Sequence, residues 1–241
     1  MDNMTLYIPQ MTPALSYARE ALCRAGICPV SEEENAGCWL FPVPTREILR
    51  FPDPGTLLIG GNLNREELSG YSRMDLLEDA VYLAENARLT AECTLRLLGQ
   101  QLTHSLFGCG ILILGWGRIG KCLGQMLKNL GARVVIAARK PADLGMLAAL
   151  GYEAVSADRI GDILPQMRVL INTAPAQVLK EADLAAFPGR GIKIDLASVK
   201  GIPGEDVLWA RGLPGKMLPE ASGSLIARRV LTLLYSKEAL S

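Results

Sequence analysis

Apolar positions along this chain change their period repeatedly, and each change marks an element. Short continuous apolar runs bounded by Pro and Gly read as buried strands at residues 6–9, 38–42, 56–59, 110–114, 133–137, 153–155, 169–172 and 192–196. Helical spacing replaces them elsewhere. Leu15, Ala18, Leu22 and Ala25 recur on one face until Gly26 stops the run. Leu76, Leu77, Ala80, Leu83, Ala84, Ala87, Ala91, Leu95 and Leu98 form a stripe that predicts a long helix over about 74–101, uninterrupted by Pro or Gly until Gly99. Cys122, Leu123, Met126, Leu127 and Leu130 form the inner face of another helix, capped by Gly131. Further helices are predicted at 142–150, 159–166 and 224–239.

Strands alternating with helices imply a parallel sheet covered on both faces, because parallel neighbours need crossover connections. The expected fold class is therefore α/β: a doubly wound parallel sheet of Rossmann type, with a second, smaller α/β domain at the N-terminus. The predicted organisation is a small first domain with its linking helix at 1–100, a second domain built on the doubly wound sheet at 101–222, and a final helix at 223–241 that packs back toward the first domain. No strand is expected just before Gly212, because Trp209-Ala210-Arg211 runs straight into Gly212-Leu213-Pro214-Gly215.

Composition narrows the class. A chain of 241 residues can bury a core without staples, and 25 Lys and Arg balance 25 Asp and Glu. No net field draws such a chain to nucleic acid or to an anionic membrane, so the expected partners are small molecules or other proteins. An apolar final helix on a chain this small leaves a homodimer open. The six cysteines are scattered without a C-x-x-C pair, which reads as reduced thiols and no metal site. The start, Met1-Asp2-Asn3-Met4-Thr5, lacks the n-region and h-region of a signal peptide, and no uncharged apolar run is long enough to cross a bilayer. A cytoplasmic location is expected.

The chemistry centres on Gly115-Trp116-Gly117-Arg118-Ile119-Gly120. Each glycine has its own duty: the first permits a tight turn, the second lets backbone approach a pyrophosphate, and the third lets helix and strand pack closely. The helix beginning near Arg118 aims free N–H groups at the anion. Such a pattern is weak alone, but here it sits in strand, loop, helix and strand at the expected spacing. Where an NAD site carries a carboxylate for the ribose, this chain reads Ala137-Ala138-Arg139-Lys140. Two cations in that place favour NADP(H) over NAD(H), since a guanidinium binds phosphate bidentately. Asn172-Thr173-Ala174-Pro175 and Asp195-Leu196-Ala197-Ser198 end two later strands at the edge where ligands of open sheets gather, and they are expected to meet the cofactor.

At these residues the chain resembles the dipicolinate synthase A family. The shared stretches include Asp75-Leu76-Leu77, Glu85-Asn86-Ala87, Thr90-Ala91-Glu92, Thr103-His104-Ser105, the glycine motif, Ala138-Arg139, Asn172-Thr173-Ala174-Pro175-Ala176, Ile194-Asp195-Leu196-Ala197-Ser198 and Gly212-Leu213-Pro214-Gly215-Lys216. The resemblance implies an NADP-type oxidoreductase that converts dihydrodipicolinate to dipicolinate in spore formation, together with a flavoprotein-like B subunit. Relative to that family the first domain is short.

His104, the one histidine, is the side chain whose ordinary pKa suits proton transfer near neutrality, so it is a candidate catalytic residue beside Asp195 and Ser198. Arg118 and Lys216 are candidates to hold a substrate carboxylate, and Asn86, Thr90 and Glu92 on the linking helix are candidate substrate contacts. A different two-domain dehydrogenase for a hydroxy or amino acid, or a non-catalytic NADP-binding protein, stays open on these residues alone.

Overall fold

The computed structural model describes residues 5–33 and 36–238, organised as two compact units: Met1–Leu89 with Pro214–Ser241, and Thr90–Leu213. The division falls at 89/90 and 213/214, not at 100/101 and 222/223, because the long helix contributes residues to both units. Met1 to Met4, Glu34 and the expected last helical residue, Ala239, lie outside the described residues.

In the first unit, β1 (Leu6–Tyr7), β2 (Cys38–Leu40), β3 (Leu57–Gly60) and β4 (Arg73–Asp75) form a parallel sheet in that order. Side chains alternate between its faces, as the period of two requires. Leu6, Cys38, Leu40, Leu57 and Ile59 join one core. Trp39, Phe41 and Leu58 join the other with Leu63 and Leu68, and Tyr7 meets Trp39 edge to face at 5.1 Å. The first core is closed by α1 (Pro13–Arg24) and by a C-terminal helix (Pro219–Glu238). Thr12 starts α1, its hydroxyl accepting the Leu15 N–H at 3.2 Å, and Pro13 occupies the first turn where no donor is needed. Gly26, at φ 89°, ends it.

The helix expected from residue 74 begins later. Its start is a strand, β4, followed by a turn, and α2 runs Ala80–Gln101 without a break at Gly99. Two carboxylates explain the difference. Asp75 accepts from the N–H groups of Asn62 (3.1 Å), Leu63 (2.6 Å) and Leu77 (2.8 Å), fixing the strand end. Asp79 accepts from Val81 and Tyr82 (2.8 and 3.0 Å) and so caps the helix.

Asp79 also pairs with Arg229, whose Nε and Nη2 donate to one carboxylate oxygen at 2.9 and 2.7 Å. Both side chains are largely covered. Burial opposes ionisation of Asp79, but the N–H donors and the guanidinium outweigh it and hold the carboxyl below its ordinary value. Its stabilising contribution is therefore complete above the ordinary carboxyl range and is withdrawn as pH falls through the lower, folded value. Arg229→Ala is expected to cost about 3 kcal/mol at neutral pH, because it strands a covered carboxylate. Urea unfolding should show that loss shrinking on acidification; a constant difference between pH 7 and pH 3 would refute the pairing as its cause.

In the second unit, β5 (Gly110–Leu114), β6 (Arg133–Ala138), β7 (Glu153–Ser156), β8 (Val169–Asn172), β9 (Ile192–Asp195) and β10 (Leu208–Trp209) form a six-stranded parallel sheet in the order β10-β9-β8-β5-β6-β7. The central strands are buried along nearly their whole length, as in a sheet covered on both faces. α3 (Arg118–Asn129) follows β5, and α4 (Pro141–Ala149) follows β6. Gly124 lets α3 settle onto the sheet, since a Cβ there would stand 3.2 Å from Ile136.

Two expectations fail here. The stretch expected as a helix at 159–166 is two tight 3-10 turns, Ala157–Asp162 and Leu164–Gln166: Arg159 departs from helical geometry at φ −114°, and Pro165 lacks the donor that a continuing helix needs. And a strand does precede Gly212. β10 pairs with β9 through Leu208↔Ile194 and Trp209↔Asp195, two residues being too few to show a period in sequence. The short helices α5 (Glu181–Leu184) and α6 (Leu213–Met217) complete the chain before the long C-terminal helix, α7. No helix among the described residues is long and apolar enough to cross a membrane.

Candidate functional site

With strands ordered β7-β6-β5-β8-β9-β10, successive crossovers run outward in opposite directions from β5, which makes the gap between β5 and β8 the topological switch point. All six strands are parallel, so Leu114, Ala138, Ser156, Asn172, Asp195 and Trp209 end at one edge. The glycine motif turns there.

Its three glycines are distinguished by their surroundings. Gly115 has φ 104°, and a Cβ on it would stand 2.9 Å from the Thr173 hydroxyl. At Gly120 a Cβ would fall 2.3 Å from the Gly115 carbonyl oxygen, so helix and turn meet only because that atom is missing. Gly117 is different: a Cβ there meets nothing within 4 Å. It borders open space at the first turn of α3, where backbone N–H groups have no intrahelical acceptor. Arg118 opens that helix, exposed and in no ion pair among the described residues. Trp116 turns aside and packs edge to face on Tyr152 at 5.4 Å, with Lys121 Nζ 5.8 Å from its ring centre. Burial raises the Tyr152 hydroxyl pKa.

At the end of β6, Ala138 is buried while Arg139 and Lys140 are exposed and in no ion pair among the described residues. The register Ala138↔Ser156 sets the Ser156 hydroxyl at the neighbouring strand end, where it donates to Asp158. That hydrogen bond holds the exposed Asp158 carboxyl below its usual range.

Across the switch point, Thr173 donates to the Leu114 carbonyl at 2.9 Å and so ties the end of β8 to the glycine turn. Ala174 and Pro175 follow, the latter exposed. Asn172 is fully buried; its side chain accepts from Ala174 N–H and donates to the Ala174 carbonyl, both at 3.1 Å, and donates to Asp195 at 3.1 Å.

Asp195 does not present itself as a proton acceptor. Its Oδ1 accepts from Asn172 and from Ala197 N–H (3.0 Å), and its Oδ2 accepts from Gly201 N–H (2.7 Å) and Ile202 N–H (2.9 Å). With no exposed surface and both oxygens doubly occupied, it holds the 196–202 loop in place. Ser198 and Val199 are exposed on that loop. Gly201 was not anticipated from sequence. A Cβ there would stand 2.5 Å from Asn172 Nδ2 and from the Ala176 carbonyl, a close approach that a single glycine after a lysine does not announce.

His104 is displaced from the site altogether. It is exposed, and its Nε2 accepts from Arg168 Nε at 3.0 Å. Arg168 precedes β8, so His104 lies at the amino edge, with the length of a strand, roughly 13 Å at 3.3 Å per residue, separating it from Asn172. Its place just before β5 in the chain does not bring it to the glycine turn, because the turn lies at the opposite end of the parallel strands.

The expected substrate contacts divide between the units. Asn86 and Lys216 belong to the first and Thr90 and Glu92 to the second. Thr90 is buried, and Lys216 is exposed on α6.

No family model matches the chain. It is similar to dipicolinate synthase A of Bacillus subtilis strain 168, with 28% identity over 189 residues, covering 75% of this chain and 62% of that protein. The match thus spans less than two thirds of the relative's length. The solved structure of dipicolinate synthase A from Bacillus halodurans superposes with a TM-score of 0.85 at 22% identity, over 96% of this chain and 98% of that one. A transhydrogenase from Sinorhizobium meliloti follows the same fold, at TM-score 0.76 and 13% identity over 96% and 92% of the two chains. The architecture, two parallel sheets with flanking helices, is shared with both of these structures.

Proposed function

We propose, from this similarity to dipicolinate synthase A, that the chain is a nicotinamide-dinucleotide oxidoreductase that moves hydride from dihydrodipicolinate to NADP, acting with a flavoprotein-like B subunit in the cytoplasm of a spore-former. The observation that carries the reading is the glycine turn at the switch point: Gly115 by its positive φ, Gly120 by its contact with the turn, and Gly117 by the open space beside it. These residues fit a dinucleotide. The first-turn N–H groups of α3, with Arg118, would hold the pyrophosphate. Arg139 and Lys140 would hold a 2′-phosphate, and the Asn172 turn with the Ser198 loop would border the nicotinamide half.

A bound nicotinamide supplies the hydride acceptor. Aromatisation of a dihydropyridine then asks the protein chiefly to position the ring and to accept a proton, more than to supply a strong nucleophile. The exposed Ser198 hydroxyl is the candidate left at this edge, since Asp195 is committed to its loop and His104 lies at the other end of the sheet.

Two substitutions separate fold from binding. Gly117→Ala adds a methyl group to open space, so its unfolding midpoint should stay near that of the parent while NADPH affinity falls about tenfold or more. Gly120→Ala should lose both, with about 2 kcal/mol of stability, because backbone must move. Equal effects on stability from the two variants would count against this division. The activity itself is tested by supplying purified chain and its B partner with dihydrodipicolinate and NADP and following NADPH formation. Turnover of a hydroxy or amino acid with the dihydropyridine ignored, or no nucleotide binding at all, would overturn the reading.

A further inference from the structure

Among the described residues, Asp195 is the one charged side chain with no exposed surface. Every partner it has is a donor: an amide N–H of Asn172 and the backbone N–H groups of Ala197, Gly201 and Ile202. None of them could accept a proton from a neutral carboxyl, so the arrangement is one for a carboxylate. Yet no Lys or Arg is paired with it among the described residues. Lys193, two positions earlier on β9, is taken by Asp206 at 2.5 Å. Lys200 donates to the Gly204 carbonyl at 2.7 Å.

Buried carboxylates are ordinarily paired with a cation, since desolvation is costly. Here dipoles hold the charge without cancelling it, and burial keeps water from screening its field. The position is telling. Asp195 ends β9, on the β8 and β9 side of the switch point, which is the half of this fold that takes the nicotinamide end of a dinucleotide. The oxidised nicotinamide ring carries a positive charge, and the reduced ring carries none.

We infer that Asp195 is an electrostatic positioning residue whose uncompensated buried charge stabilises the oxidised, cationic form of a bound nicotinamide over the reduced form. The inference rests on the proposed oxidoreductase reading and adds a direction to it: the site is biased to hold the hydride acceptor ready. Asn172 shares in this, since its amide joins the carboxylate to the turn that ends β8.

The test is the pair of dissociation constants for NADP+ and NADPH, measured by calorimetry on the full chain. The unmodified protein should bind NADP+ at least as tightly as NADPH. Asp195→Asn keeps the volume and removes the charge, and should move the ratio toward NADPH by about tenfold, the size expected of one poorly screened charge; that corresponds to about 30 mV in the potential of the bound couple. A ratio unchanged in a folded variant overturns the inference. If the variant does not fold by circular dichroism, the unmodified protein decides it: NADPH bound several-fold more tightly than NADP+ is the contrary result. Failure of both nucleotides to bind is a separate outcome, which overturns the oxidoreductase reading itself.

Discussion

Replacing Gly223 by valine is expected to lower the melting temperature by about 10 °C. Gly223 is where α7 crosses α1. A Cβ there would stand 2.3 Å from the Ala14 carbonyl oxygen, 2.7 Å from Tyr17 Cβ and 2.8 Å from Ala18 N. Two of those are backbone atoms, which no rotamer change can move, so the helices must separate. Separation loosens Leu15 and Leu22 of α1 against Leu225, Ile226 and Val230 of α7, all of them buried. Overpacking of this kind costs on the order of 3 kcal/mol, and roughly 2–4 °C accompanies each kcal/mol in a chain of this size. Ser224→Ala, at an exposed neighbouring position, is the control. A thermal melt of the valine variant within about 2 °C of the parent would show that the helices tolerate the added volume.

The second large effect concerns nucleotide choice. Changing Arg139 and Lys140 together to alanine is expected to weaken NADPH binding about 100-fold while NADH binding changes less than about threefold. Both cations are exposed and in no ion pair among the described residues, so neither is committed to holding the fold. Charge-assisted contacts to phosphate contribute about 1.5–3 kcal/mol each in favourable geometry, and exposure reduces that; a combined loss near 100-fold allows for the reduction. The effect should also shrink as salt rises. Fluorescence titrations with the two reduced nucleotides measure it. Equal losses for NADPH and NADH would place the 2′-phosphate elsewhere.

The glycine motif shows how much of the site can be read from sequence. Its spacing between a run of apolar residues and a helical stripe announced the turn, and the structure gives Gly115 and Gly120 separate reasons for lacking a side chain, while Gly117 borders open space. The position of Arg139-Lys140 at a strand end was equally legible, because the length of the apolar run before it fixes where the strand stops. Asp195 was legible as a strand-end carboxylate, but its role was not. A single residue letter says nothing of four N–H donors converging from 172, 197, 201 and 202.

What the chain's own pattern determined was local: which segments are strands, which are helices, and where backbone turns on glycine, since these follow from periodicity and from steric limits on each residue. Even there, Asp75 and Asp79 captured nearby N–H groups and turned the first part of an apparent helix into a strand and a cap. Tertiary structure alone decided which candidates meet. Parallel strands give the sheet a direction, so His104 beside Arg168 falls at one edge while Asn172 and Asp195 share the other. Strand order and direction depend on contacts between residues far apart in the chain, and no window of sequence contains them.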